Sequence, residues 1–459
     1  MNSIFIYKKI NGEVIITGLQ EGVAETAIEI PETIENMPVV EIGPKAFEFS
    51  TITDIKIGIN IRKIEKEAFA HCRKLNSVTW NCKCNAIPDK CFYRCTELKK
   101  FDFTAIKRVG QYAFGESGLQ EVYIPQNIEM IGDGAFNICS ELHSVTWNGT
   151  CDVIPTSCFY LCSNLKSFNF SAIKKVGQYA FGESGLQEVR LPKNIESIYE
   201  RAFGECRELQ SVEWNCKCDA IPDYCFCNCT KLKQFEFLGI QKIGRYAFER
   251  SCLQEVNLPE TIKEVSVGAF RKCGELQSAT WPHKCDVIPA DCFAGCLKLT
   301  QFDFSNAKKI EQYAFGNSGL QEVRLQKNIE SISNEAFCGC SELHSVTWHC
   351  QCDVIPNACF ERCSNLKQFD LSNVKKIEAY AFGRSGLTSV TLSKKTEVDQ
   401  NCFAYCNDLE KIEWLSDRNI EKNIFAECKN IKEIFISDSV MDIAVDAFAS
   451  SPNAEISFV

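Results

Sequence analysis

The sequence predicts a predominantly β repeat of the α/β type, a right-handed solenoid of about nineteen short turns, and three observations predict it. A phenylalanine returns every 21 to 23 residues, an alternating apolar segment follows each one, and a longer period of 67 residues lies above both. A chain of 459 residues would otherwise divide into two or three domains, at roughly 150 residues each. Repetition at a fixed short period overrides that prior.

The phenylalanine recurs nineteen times, from Phe47 to Phe448, behind a small residue everywhere except Phe425, which follows Ile424. The segment that follows is shown well by Leu186-Gln187-Glu188-Val189-Arg190-Leu191. Its last residues alternate with the period of a strand that is buried on one face, so Val189 and Leu191 point inward while Glu188 and Arg190 face water. Ile195, Ile198 and Ala202-Phe203 complete the core of that turn, and the chain returns through short turns or a helical kink. A single turn buries its apolar side only against its neighbours, so the core must be continuous and its ends need caps.

Trp80, Trp147, Trp214, Trp281 and Trp348 stand 67 residues apart, which groups the turns in threes. Each unit, from about residue 69 to residue 382, contains a Trp strand (Ser77-Val78-Thr79-Trp80), a Phe strand (Phe101-Asp102-Phe103) and a Val strand (Val122-Tyr123-Ile124). Two short alternating segments flank Asn11-Gly12, a strong two-residue hairpin signal, so residues 1–30 read as an N-terminal hairpin cap and residues 31–459 as the solenoid. The last segment, Ala454 to Val459, is a strand with no polar capping unit behind it, which points to further chain or to a contact edge.

Composition narrows the function classes. Hydrophobic content of 45% and charged content of 24% are those of a folded soluble chain, neither disordered nor membrane-inserted. A net charge of -10 without clustered Lys and Arg argues against a nucleic-acid surface. The N-terminus lacks the pattern of a secretory signal, which favours a cytoplasmic location.

The pattern Leu-x-x-Val-x-Leu-Pro, Ile-x-x-Ile, Ala-Phe-x-x-Cys resembles the BspA-like leucine-rich repeat family over residues 31–459. That resemblance implies a curved right-handed solenoid with a parallel sheet on one face. It also implies a surface or adhesion protein that holds host or cell-surface proteins, which places it outside the cell.

The 29 cysteines mostly obey the repeat. Three residues after the phenylalanine stands Cys in twelve turns and Ser in seven, and Cys91, Cys158, Cys225, Cys292, Cys359 and Cys402 stand where other turns have Ala. Both positions select a small core residue, so reduced buried thiols are expected, in keeping with a cytoplasmic address. Cys82, Cys84, Cys91 and Cys95 have the density of a zinc site. However, the position of Cys82 becomes Gly149, Cys216, His283 and Cys350 in later units, so no metal and no cofactor are expected. Cys82, Cys84, Cys216, Cys218, Cys350 and Cys352 have no role in the repeat.

Catalysis needs unlike residues converging, whereas duplicated turns offer rows of like residues. None of the five histidines pairs with a unique acid or nucleophile, so the chain is expected not to be an enzyme. Binding belongs to the outward strand face, where Tyr123 and Phe435 are aromatic and Arg190, Glu322 and Arg324 are charged, with aromatic and Arg side chains the usual interface anchors. The expected partner is a protein, with end-to-end self-association through Ile456 and Phe458 as the alternative.

Overall fold

The structure, a computed structural model, describes residues 4–459, which form two compact units, one up to Cys218 with Cys225–Lys231 and one of Asp219–Tyr224 with Leu232–Val459. Both are β-solenoids built from the same turn. The phenylalanines from Phe47 to Phe425 are fully buried and stack turn on turn, with ring centroids 5.4 Å apart for Phe69 and Phe92 and 5.8 Å apart for Phe181 and Phe203 in the first unit. In the second unit Phe293 and Phe315 stack at 5.4 Å and Phe337 and Phe360 at 5.6 Å. In most turns the phenylalanine amide also donates to the carbonyl of the residue that precedes the next phenylalanine, as in Phe92 to Ala113 at 2.8 Å and Phe270 to Cys292 at 3.1 Å.

The side of the turn that carries the phenylalanine is made of tight turns, and among the described residues there is no helix, so the short turns expected there are realised and the helical kinks are not. The reason lies in the backbone. Two residues flank each phenylalanine with positive φ, such as Glu67 (61°) and His71 (61°) around Phe69, or Arg201 (55°) and Glu205 (60°) around Phe203. A left-handed residue every fourth position forbids a right-handed helix. Each costs an L-residue about 1 kcal/mol, and the ladder of hydrogen bonds on either side holds it there.

Two strand ladders complete the turn. In the first unit the hairpin Phe5–Ile10 with Glu13–Leu19 is antiparallel, turns at Asn11 and Gly12, and pairs in parallel with Met37–Ile42. Four-residue strands follow, with Ala27–Glu29, Asp54–Ile57 and Ser77–Trp80 in one sheet, Glu121–Ile124 with Ser144–Trp147 in another, and Glu188–Leu191 with Ser211–Trp214 in a third. Two-residue strands form the second ladder, Ala86–Ile87, Arg108–Val109 and Met130–Ile131 being one set of three. The second unit repeats this. Glu255–Asn257 pairs with Ser278–Thr280 and Glu322–Leu325 with Ser345–Trp348, and a four-stranded sheet runs Ser389–Leu392, Lys411–Trp414, Glu433–Ile436 and Glu455–Phe458.

These breaks correct the sequence reading. Residues 101–103, 168–170, 302–304 and 369–371 are irregular, so the middle turn of each three-turn unit lacks the strand its Leu-x-x-Phe-x-Phe pattern suggests. The ladders compensate for one another. The four-residue ladder stops at the Phe turn, while the two-residue ladder runs through it, Arg108–Val109 bonding to both neighbours.

The cysteine position after the phenylalanine selects more than size. Cys206 Sγ donates to the carbonyl of Phe181 at 3.1 Å and meets Ser184 Oγ at 3.4 Å, and Cys139 repeats this with Phe114 and Ser117 at 3.1 and 3.4 Å. Cys and Ser alternate there because both carry a donor as well as a small volume. Burial pushes the Cys206 thiol up to about 12, so it is inert at neutral pH. Replacing Cys206 by Ala is expected to lower stability by about 0.5–1.5 kcal/mol, because it removes one of two hydrogen bonds that the Phe181 carbonyl accepts, the other coming from the Ser184 amide at 3.0 Å, while Cys206→Ser, which keeps a donor, costs less. Urea unfolding followed by tryptophan fluorescence checks the order, and equal losses would show that volume alone matters.

Candidate interaction surface

The broken ladder shapes the strand face. Phe302 occupies the position that Val323 holds one turn later, but its ring bridges two turns of the stack, 5.2 Å from Phe293 and 5.0 Å from Phe315. A valine rests over its own turn; a ring that spans two acts as a wedge and takes the backbone out of ladder register. Asp303 adds to this by accepting the Ser305 amide at 2.9 Å, a local bond that competes with the sheet. The same bond joins Asp102 to Thr104, Asn169 to Ser171 and Asp370 to Ser372. The aromatic residue is the constant factor, because Phe369 breaks the ladder although its second aromatic is replaced by Leu371.

Among the described residues, the amides of residues 301–304 donate no backbone hydrogen bond, and Ser278–Thr280 and Glu322–Leu325 face that gap without a ladder partner on that side. The result is an open cleft of about 520 Å³ lined by Ser278, Gln301, Phe302, Asp303, Glu322 and Arg324. A second cleft of about 550 Å³ lies over residues 368–372, bordered by Ser389, Thr391 and Leu415. Both are wet and polar with an aromatic floor, and their edges offer backbone groups as well as side chains.

The five residues singled out from the sequence fall in different places. Glu322 and Arg324 come together at the first cleft, where the guanidinium donates to the carboxylate at 2.6 Å and the Arg324 side chain stays 73% exposed. Arg190 is held by Glu188 at 2.9 Å and Glu213 at 3.4 Å, so it is the more neutralised of the two arginines. Tyr123 is 53% exposed on the strand Glu121–Ile124, opposite Thr146. Phe435 is half-buried, with Lys411 Nζ 5.1 Å from its ring centroid. Sequence reasoning missed Gln301, Phe302 and Asp303, having placed them on a strand; the recurring Phe-Asp/Asn-Phe/Leu-Ser/Thr run was the signal, since an Asp or Asn two residues before an amide favours a turn.

The indole nitrogens explain the Trp strands. Trp80 Nε1 donates to the Cys84 carbonyl at 2.9 Å, and Trp147, Trp281 and Trp348 do the same with Cys151, Cys285 and Cys352 at 2.8, 2.7 and 2.9 Å. Cys91 and Cys95 of the four-cysteine set are fully buried in the core. Among the described residues no three His, Cys, Asp or Glu side chains converge to hold a metal ion, and no helix is long and apolar enough to cross a membrane.

The cause of the cleft is open to test. With Phe302→Val the ladder is expected to close, and hydrogen exchange at residues 301–303 should slow by about tenfold or more as those amides find carbonyl partners. Unchanged exchange would show that the ring is not what breaks the sheet.

Comparison with known proteins agrees with this architecture. The family described as "BspA type Leucine rich repeat region" matches residues 40–166, 152–277, 221–344, 286–410 and 330–455. No curated protein matches the sequence. Among solved structures, a leucine-rich repeat protein from Bacteroides ovatus is 22% identical over 100% of this chain and 99% of its own, with a TM-score of 0.43. A leucine rich cell surface protein from Faecalibacterium prausnitzii is 18% identical over 90% of this chain and 93% of its own, also at 0.43. The pneumococcal vaccine antigen PcpA is 16% identical over 100% of this chain and 98% of its own, at 0.37.

Proposed function

The chain belongs to the BspA-type leucine-rich repeat family, and from the clefts on its strand face we propose that it is a protein-protein interaction or adhesion module rather than an enzyme. The observation that carries this reading is the cleft beside Phe302, where an exposed Arg-Glu pair borders an aromatic floor and open strand edges. Such a site can meet a protein partner with backbone hydrogen bonds and charged side chains together. Tyr123, Arg190, Glu322, Arg324 and Phe435 are the proposed anchors. The family's surface and adhesion members make the cell surface the first location to examine, which labelling of intact cells with an impermeant reagent decides.

Surface plasmon resonance of the full chain against a panel of purified extracellular-matrix and cell-surface proteins tests the binding. A panel member is expected to bind, and Arg324→Ala or Tyr123→Ala to weaken it about tenfold, without lowering the melting temperature. Equal binding by wild type and by the Tyr123, Arg190, Arg324 and Phe435 alanine variants would overturn the strand-face reading.

A second reading, a self-associating scaffold, is favoured by one observation. The strand Glu455–Phe458 exposes Ile456 (48%) and Phe458 (61%) beside Met441 (91%) and Val445 (107%) on the last turn of the described chain. Exposed apolar side chains on a strand edge invite pairing. Light scattering is then expected to show concentration-dependent growth that Ile456→Lys with Phe458→Lys abolishes. A monomer at all concentrations would remove this reading.

A further inference from the structure

Among the cysteines that fill neither repeat position, six occur as three Cys-x-Cys pairs behind Trp strands: Cys82 with Cys84, Cys216 with Cys218 and Cys350 with Cys352. Each pair directly follows a Trp strand, where the backbone bends at the first cysteine and the residue after it. In a straight strand residues i and i+2 share a face about 6.6 Å apart, at the outer limit of the roughly 4.4–6.8 Å that a disulfide spans. The bend shortens that separation, and in all three copies the side chain of the second cysteine is the largest influence on the first, holding its thiol below the ordinary cysteine range. In the third pair Cys350 Sγ also reaches the Cys352 carbonyl at 3.8 Å, and the indole of Trp348 donates to that same carbonyl at 2.9 Å and pins the bend.

The pairs differ from the remaining thiols in exposure. Cys216, Cys218, Cys350 and Cys352 are half-buried at the surface, Cys82 and Cys84 are buried with 8% exposure, and core thiols such as Cys206 and Cys225 are sealed. The other two units supply internal controls, since Cys151 and Cys285 keep the second position while Gly149 and His283 replace the first. A lysine, Lys83 or Lys217, separates the two cysteines in the first and second pairs, and Gln351 does so in the third.

We propose that the three Cys-x-Cys pairs are redox-active dithiol sites that reduce low-molecular-weight disulfides of the glutathione type and close to a disulfide within each pair. The thiolate of Cys216 attacks one sulfur of the disulfide RSSR, a mixed disulfide forms, and RS⁻ leaves. Cys218 then loses its proton to solvent and attacks Cys216 Sγ, which expels the second RS⁻. Two electrons pass from the two protein thiols to RSSR, and the two protons released end on two RSH. The order of attack follows from the pair itself: the neighbouring thiol stabilises the thiolate of Cys216 and pulls it below the ordinary cysteine range. Within the equivalent pair Cys82 is likewise pulled down and Cys84 pushed up. This chemistry sits at the bends after the Trp strands and does not depend on the binding role of the strand face.

The test uses the folded full chain. Incubation with oxidised glutathione, acid quench, alkylation and peptide mass mapping are expected to find disulfides 216–218 and 350–352 first and 82–84 later, with the core cysteines alkylated only after denaturation. Closure of a pair should outrun modification of Cys151 by about tenfold or more, because the second thiol resolves the mixed disulfide at once. In Cys352→Ser, glutathione should remain trapped on Cys350. Circular dichroism verifies that the fold is kept; should the variant misfold, the wild-type map alone decides. Recovery of Cys216, Cys218, Cys350 and Cys352 as free thiols under conditions that oxidise a linear Cys-Lys-Cys peptide would overturn the proposal, as would disulfides linking these residues to core cysteines.

Discussion

The stacking of one phenylalanine per turn is the constraint to which the other features adjust. Successive rings lie 5.2 Å apart at Phe47 and Phe69 and 5.8 Å apart at Phe203 and Phe226, with nearly parallel planes. Strands in a sheet prefer about 4.8 Å. The ring stack therefore sets a slightly wider step than the hydrogen-bond ladders would choose. The ladders absorb the difference by being interrupted in alternation, so that each turn within a unit is tied to its neighbours by at least one of them.

The small residues follow from the same constraint. A ring packed against its equivalents favours Ala or Cys before it, with Ile424 before Phe425 the exception, and the tight turn around it demands two left-handed residues. The carbonyl of the phenylalanine accepts an amide of its own turn, and where the next turn carries Cys the thiol adds a second donor, as Cys206 does for Phe181. Ser-Gly-Leu at residues 117–119 shows how little space remains, because a side chain on Gly118 would overlap the Thr96 carbonyl.

Regular turns make a regular surface, and chemistry arises where the regularity fails. The Phe turn breaks the strand ladder and opens the cleft at Glu322 and Arg324, while the bend after the Trp strand presents two thiols together. The first is the proposed site of protein recognition, the second the proposed site of exchange with small disulfides. Neither site shares residues with the other, so binding and thiol chemistry can be varied independently.

The period, the inward face of each Val and Trp strand and the core role of most cysteines could be read directly from residues, because burial repeats every 22 residues and leaves a one-dimensional pattern. The outward placement of Tyr123 and of Arg324 followed from strand alternation alone. The failure of the strand at Phe302 could not be read that way, since Leu299, Phe302 and Phe304 satisfy the same apolar pattern as Leu320, Val323 and Leu325. What distinguishes them is the space between neighbouring turns, where a ring bridging Phe293 and Phe315 spreads a backbone that valine leaves in register. The bend between the paired cysteines was hidden for a similar reason: spacing puts Cys350 and Cys352 on one face, but only the structure shows the turn of the backbone between them and the Trp348 indole that holds it. Sequence records which side chains are apolar and how often they return, whereas the distances between turns depend on how those side chains fill the core.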